Sequence, residues 1–183
     1  ISKLMLQNQN KMKKLGFNNK IAELINESYL NGYELARVIQ EHKERYKVQS
    51  SKGVYNAEIT GNLRYSAKGR LDYPAVGDWV KITMMDEENA IIMAVFPRFS
   101  ILGRQTAGNK AEIQPIATNV DYAFIVQSVG QDFNLNRLER YLAICNSGGI
   151  RPMILLTKID LVTEEETEKL QKQINERIKG VSV

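Results

Sequence analysis

"MILLTKIDL", residues 153–161, decides how the second half of the chain folds. The apolar run from Met153 to Leu156 is too short for a buried helix and suits a strand of a parallel sheet covered on both faces. It stops abruptly at Thr157, Lys158 and Asp160. Upstream, "VDYAFIVQS" (120–128) is a second such run. Between the two, Leu135, Leu138, Leu142 and Cys145 fall on one face of a helix that ends at Gly148 or Gly149. Downstream, Thr163 and Glu166 form a T-x-x-E capping box that opens a helix to Lys179, and "VSV" (181–183) begins a third strand. Strand, helix, strand, helix, strand is the opening of a doubly wound α/β domain, here residues 119–183.

The first half has another texture. Between Glu34 and Val95, short segments rich in Val, Ile, Tyr and Thr are broken by "SSKG" (50–53), Gly61, "PAVGDW" (74–79) and "DEEN" (86–89). Strands are predicted over 35–40, 45–49, 54–60, 78–84 and 90–95, which together predict a small closed β-barrel of the OB or SH3-like kind over 34–96. Closure removes the sheet edges that would invite aggregation. In the preceding segment, 1–33, Phe17, Ile21, Leu24 and Ile25 recur at helical spacing and predict a short helix or arm over 17–30. Residues 97–118 contain Pro97, Gly103, Gly108 and Pro115, show no clear periodicity, and read as a linker loop.

With 183 residues, 43% hydrophobic and 25% charged, the chain suits one or two small globular domains. Cys145 is the single cysteine and His42 the single histidine, which excludes an internal disulfide and leaves no Cys/His cluster for a structural metal. No run approaches the ~18 apolar residues of a membrane span, and the polar start lacks the apolar core of a signal peptide. The expectation is a cytoplasmic protein without a membrane partner.

The net charge of +4 fits either ordinary solubility or attraction to phosphate-bearing partners. Arg45, Lys47, Arg64, Lys68 and Arg70, interleaved with Tyr46 and Tyr65, supply the cations and aromatics with which OB barrels neutralise phosphates and stack bases. Arg104 and Lys110 add two cations on the expected loop. For each of these residues a solvated barrel surface is the alternative. Trp79 reads as core, and His42 as a strand-turn residue without a catalytic partner.

Ligands of open α/β sheets bind beyond the carboxyl ends of the strands, where Thr157, Lys158 and Asp160 fall. Guanine offers two adjacent N–H donors, and one carboxylate, Asp160, can accept both. The stem of Lys158 can cover the base, and Thr157 offers a hydroxyl to a neighbouring loop. A strand end running into a charged turn also accounts for the four letters. A nucleotide site needs a phosphate loop as well, G-x-x-x-x-G-K-[ST], whose amides, lysine and hydroxyl hold phosphates and magnesium. "GRQTAGNKA" (103–111) has Gly103 and Gly108 at that spacing, but Asn109 stands for the lysine and Lys110 for the hydroxyl. Either the four letters are coincidence, or the motif order is permuted and the P-loop lies beyond Val183.

"VGDWV" (76–80), "SILGRQTAG" (100–108), "QPIATNVDYAFIVQS" (114–128) and "LNRLERYLAICNSGGIRPMILLTKIDL" (135–161) carry a resemblance. From Gly32 to Val183 the chain resembles the circularly permuted, ribosome small-subunit-dependent GTPases of the RsgA (YjeQ, YloQ) family. The resemblance implies an OB-fold that binds 16S ribosomal RNA, then a GTPase domain whose guanine motif precedes its P-loop, then a zinc-binding domain. It implies action late in maturation of the small (30S) ribosomal subunit, with GTP hydrolysed to GDP and phosphate.

By that resemblance Thr157, Lys158 and Asp160 bind guanine, while the phosphate and Mg site and the Zn ligands lie outside this chain. The family motif is most often Asn-Lys-x-Asp, so Thr157, with fewer hydrogen bonds to give, implies weaker binding. P-loop, switch segments, DxPG-type motif and zinc ligands are all missing, so the chain reads as an N-terminal part, monomeric and unable to hydrolyse GTP alone. The alternative is a stand-alone RNA-binding module with a non-catalytic α/β remnant.

Overall fold

A computed structural model describes residues 10–25, 30, 32–105 and 113–183, which fall into two units, Ile1–Asn119 and Val120–Val183. In the first, strict alternation decides the core. Strand β2 (Arg45–Ser50) turns Tyr46, Val48 and Ser50 inward, and β3 (Val54–Ile59) turns Tyr55, Ala57 and Ile59 inward. With β1 (Glu34–His42), β4 (Trp79–Met84) and β5 (Asn89–Val95) they close a barrel in the order β1-β2-β3-β5-β4, β4 returning antiparallel to β1 and β3 running parallel to β5. This is the OB arrangement, and its strands lie within two residues of the predicted ends. Lys43 and Glu44, both at positive φ (50° and 62°), make the tight β1–β2 turn whose twist suits a hairpin. A bulge between Val38 and Gln40 lets β1 serve both β4 and β2.

Within the segment expected as an arm, α1 (Asn19–Leu24) is capped by Asn18 and stops short of the predicted span, because Ile25 is already extended. Its Ile21, with Ile25, is buried beside Trp79 and Phe96, and the Phe17 ring stands edge-on to Trp79 with centroids 5.4 Å apart. Trp79 is therefore core, as expected. The β3–β4 connection holds α2 (Gly61–Ser66), capped by Thr60, and a 3-10 turn at Arg70–Asp72.

The expected linker loop, 97–118, is instead largely a hairpin: β6 (Ile101–Gln105) pairs antiparallel with β7 (Ile113–Thr118). The residues that read as breakers build its bulge. Gly103 faces Pro115, and a Cβ on Gly103 would lie 2.5 Å from the Ile113 Cγ2 methyl.

A buried polar clasp binds the hairpin's end to the barrel. Arg98 grips both carboxylate oxygens of the fully buried Asp78 (2.7 and 2.6 Å) and donates to the carbonyls of Leu71 (2.6 Å) and Tyr73 (2.8 Å). The Thr118 hydroxyl donates to Asp78 at 2.6 Å. Stripping one partner from such a pair costs roughly 3–5 kcal/mol, because the other charge stays buried. Gly77, at φ 97°, allows the close approach, since a Cβ there would sit 2.1 Å from the Thr118 carbonyl oxygen.

In the second unit β8 (Tyr122–Ser128) and β9 (Arg151–Thr157) pair in parallel. Helix α3 (Leu135–Ser147) buries Leu138, Leu142 and Cys145, as its spacing predicted. Helix α4 (Glu164–Arg177) opens with the predicted Thr163–Glu166 capping box and ends at Arg177 rather than Lys179, where Ile178 turns extended. The third strand is a single parallel bridge from Ser182 to Met153.

Burial on both faces, expected of β8 and β9, is found on one. Ile125 and Ile154 are buried, whereas Phe124 and Val126 are 60% and 61% exposed. An apolar run shows that a strand suits burial, and the covering layer must come from elsewhere; α3 packs on these strands, and no described element covers the opposite face.

Candidate functional site

Strand β9 ends at Thr157, which stands opposite Ser128 and whose carbonyl accepts the Val129 N–H at 3.0 Å. Lys158 then turns the chain in the left-handed region (φ 59°, ψ 32°), and a 3-10 turn, Ile159–Leu161, carries Asp160. The Leu161 N–H closes that turn on the Lys158 carbonyl at 3.1 Å. All three predicted residues are exposed at the carboxyl end of the parallel pair. Left-handed backbone costs a residue with a Cβ roughly 1–2 kcal/mol and gathers at functional turns.

The loop after β8 is fixed beside this turn. Gln127, buried, donates from Nε2 to the Asp132 carbonyl at 3.3 Å, and its Oε1 has no partner among the described residues. Asn134 caps α3 by accepting the Arg137 N–H. The false phosphate loop resolves differently: Gly103 lies within β6, and Gly108, Asn109 and Lys110 lie outside the described residues. Among the described residues no group of three or more His, Cys, Asp or Glu side chains is placed to hold a metal ion.

On the barrel the predicted cations fall on three separate elements. Arg45 and Lys47 point outward from β2 into a groove of about 580 Å3 that His42, Asn56, Glu58 and Asn89 also line. Arg64, on α2, is paired with Glu44 at 3.1 Å, while Lys68 and Arg70 are exposed on the β3–β4 connection. Arg104 donates to Gln114 Oε1 at 3.3 and 3.2 Å across the hairpin, and Lys110 lies outside the described residues.

The aromatics divide as well. Tyr46 is core, and burial, with Glu41 and Glu44 adding, pushes its phenol above the usual range, so it is no stacking platform. Tyr65 is 92% exposed and fits that role. The sequence reading passed over the groove's amides, Gln40, Asn56 and Asn89, and its carboxylate, Glu58. For Asn56, Glu58 and Asn89 the signal was parity, since they alternate with buried apolar residues of their strands, whereas Gln40 faces outward because the bulge after Val38 shifts the alternation.

Residues 95–182 match the family model described as RsgA GTPase. The chain is 44% identical over 138 residues to small ribosomal subunit biogenesis GTPase RsgA 2 of Lactiplantibacillus plantarum, covering 75% of this chain and 39% of that protein. It is 42% identical over 134 residues to RsgA 1 of Oceanobacillus iheyensis, covering 73% and 38%. Among solved structures it is similar to YloQ, a circularly permuted GTPase, with TM-score 0.60 and 26% identity over 82% of this chain and 50% of that one. YjeQ from Thermotoga maritima shares the fold at TM-score 0.61 and 18% identity, over 81% and 50%. The chain spans about two fifths of the length of the curated relatives it matches.

Proposed function

The chain belongs to the RsgA GTPase family, and from that premise we propose that it is the RNA-binding barrel and the opening of the GTPase domain of a cytoplasmic factor that uses GTP in late assembly of the small ribosomal subunit. In this reading residues 34–96, with the clasped hairpin, engage 16S rRNA, and residues 119–183 hold the base of the nucleotide. The observation that carries it is the exposed turn after β9, where Thr157, Lys158 and Asp160 stand at the carboxyl end of parallel strands, the usual ligand position of such sheets. Asp160 accepts the two N–H groups of guanine, Lys158 lays its stem on the ring, and Thr157 ties the turn to a neighbouring loop.

Among the described residues no group of three or more His, Cys, Asp or Glu side chains is placed to hold Mg2+, and in this reading phosphates and Mg2+ are held by a P-loop in the length of the relatives that this chain does not match. Zn2+ does not fit this chain's own donors, since Cys145 is buried on α3 and His42 lies in the other unit. The 183-residue chain alone is accordingly expected to show no GTP turnover above a Lys158→Ala, Asp160→Ala control.

Nucleotide titration of the full-length protein tests the base site. Asp160→Asn replaces a double acceptor by one acceptor and one donor. It is expected to lower guanine nucleotide affinity about ten- to a hundredfold, the worth of a charge-assisted pair. Xanthine nucleotides, which carry a carbonyl where guanine has its amine, should gain affinity. An unchanged preference for guanine over adenine and xanthine would remove Asp160 from the site.

A further inference from the structure

The barrel groove has an order that the cation count hides. Its outward side chains stand in register across four strands. Gln40 faces Lys47, Lys47 faces Asn56, and Asn56 faces Asn89. One step along, His42 faces Arg45, the β2–β3 register sets Arg45 against Glu58, and Glu58 faces Ile91. The first row is three amides and a lysine in a strip of about 14 Å, from three strand spacings of 4.7–4.9 Å. Gln40, Asn56 and Lys47 make no side-chain hydrogen bond or ion pair among the described residues. Asn89 Nδ2 is held by both oxygens of Asp86 (3.0 and 2.9 Å), which fixes its amide and leaves Oδ1 unpartnered among the described residues.

These are the wrong groups for following a phosphate backbone. A phosphate track needs cations, and Glu58 opposite Arg45 repels the phosphate that Arg45 would attract. Amides both donate and accept, and with a carboxylate they match the edges of bases. In an RNA duplex the informative edges lie in a deep, narrow groove that side chains do not enter.

We infer that this groove reads the edges of unpaired bases in a single-stranded RNA segment, with Gln40, Asn56, Asn89 and Glu58 on the bases and Lys47 and Arg45 on the flanking phosphates. The inference rests on the RNA-binding reading of the barrel and narrows it from RNA in general to an unstacked strand recognised by sequence.

The test is fluorescence anisotropy with the full-length protein, using short single-stranded RNAs of differing base composition and a blunt duplex of equal length, over a range of salt. Single strands should bind in preference to duplex. Gln40→Ala with Asn56→Ala should weaken the best strand about tenfold or more and level the ranking among bases, with the salt slope unchanged. Lys47→Ala should lower the salt slope by about one and keep the ranking. Glu58→Gln should change which base ranks first. All the substituted side chains are exposed, so the thermal midpoints should stay at the wild-type value and serve as the folding control.

A preference for duplex would overturn the inference. So would an amide variant that keeps affinity and ranking while the lysine variant loses binding, since cations alone would then hold the RNA; in both cases the RNA-binding reading survives. Failure of the wild-type protein to bind any RNA would remove that reading and the inference together.

Discussion

Lys158 holds a conformation that lysine has no reason to adopt unaided (φ 59°, ψ 32°), between a strand end tied to Val129 and a 3-10 turn closed on its own carbonyl. The cost falls away for glycine, which enters the left-handed region freely. Lys158→Gly should therefore be more stable than Lys158→Ala by about 1 kcal/mol in denaturant unfolding. In nucleotide titrations of the full-length protein the two should lose guanine affinity alike, because both lack the covering stem. Equal stability would mean that the turn relaxes and does not impose the conformation. The trio's place at a strand end was legible from the apolar run before it, while the backbone of Lys158 was not, because only the two hydrogen-bonded neighbours dictate it. Tyr46 and Tyr65 differ for a similar reason: one occupies an inward strand position and the other a helix surface, a distinction of parity that a tally of aromatics misses.

Between elements, α3 and α4 are joined by a forked pair: Arg177 Nε and Nη2 meet the two carboxylate oxygens of Glu139 at 2.6 and 2.8 Å, and Nη2 also reaches Asn136 at 2.9 Å. The guanidinium hydrogen bond holds the Glu139 carboxyl below the usual range. A carboxylate whose value is depressed in the folded state adds stability above its unfolded value and loses it as pH falls through the folded one. Glu139→Gln should thus lower the thermal midpoint modestly near neutral pH. The gap from wild type should close below about pH 4, the glutamate range, and narrow in high salt because both partners are half exposed. A gap that persists in acid would assign the effect to packing. Elements were legible wherever one period ran unbroken, as in β2, β3, α3 and the capping box of α4. The β6–β7 hairpin was hidden because Gly103 and Pro115, breakers when read singly, face each other in a bulge. The amide row was hidden because register between strands is a property of pairing, set here by the Val38–Gln40 bulge and the turn at Lys43 and Glu44.

At the scale of the molecule the two units differ in completeness. The barrel closes on itself and is clasped by Asp78, Arg98 and Thr118, whereas β8 and β9 form a two-stranded parallel sheet with one open apolar face. Parallel sheets are stable when both faces are covered, and Phe124, Val126 and Leu155 present large apolar groups that water disfavours. The relatives are more than twice as long as the span they share with this chain, and the missing layer is expected in that further length. The 183-residue polypeptide should therefore bind an apolar dye such as ANS and self-associate with rising concentration in gel filtration. The full-length protein should do neither. Phe124→Ser with Val126→Thr should reduce both signals in the short chain and leave its far-UV circular dichroism unchanged, since these side chains make no buried core there. In the full-length protein the same pair should be destabilising by about 2–4 kcal/mol, as for buried apolar groups replaced by smaller polar ones. Opposite consequences of one substitution in the two lengths are what a face open in one and covered in the other requires. A monomeric short chain without dye binding, or a pair of substitutions harmless in both lengths, would mean that the exposed face is the finished surface of the domain.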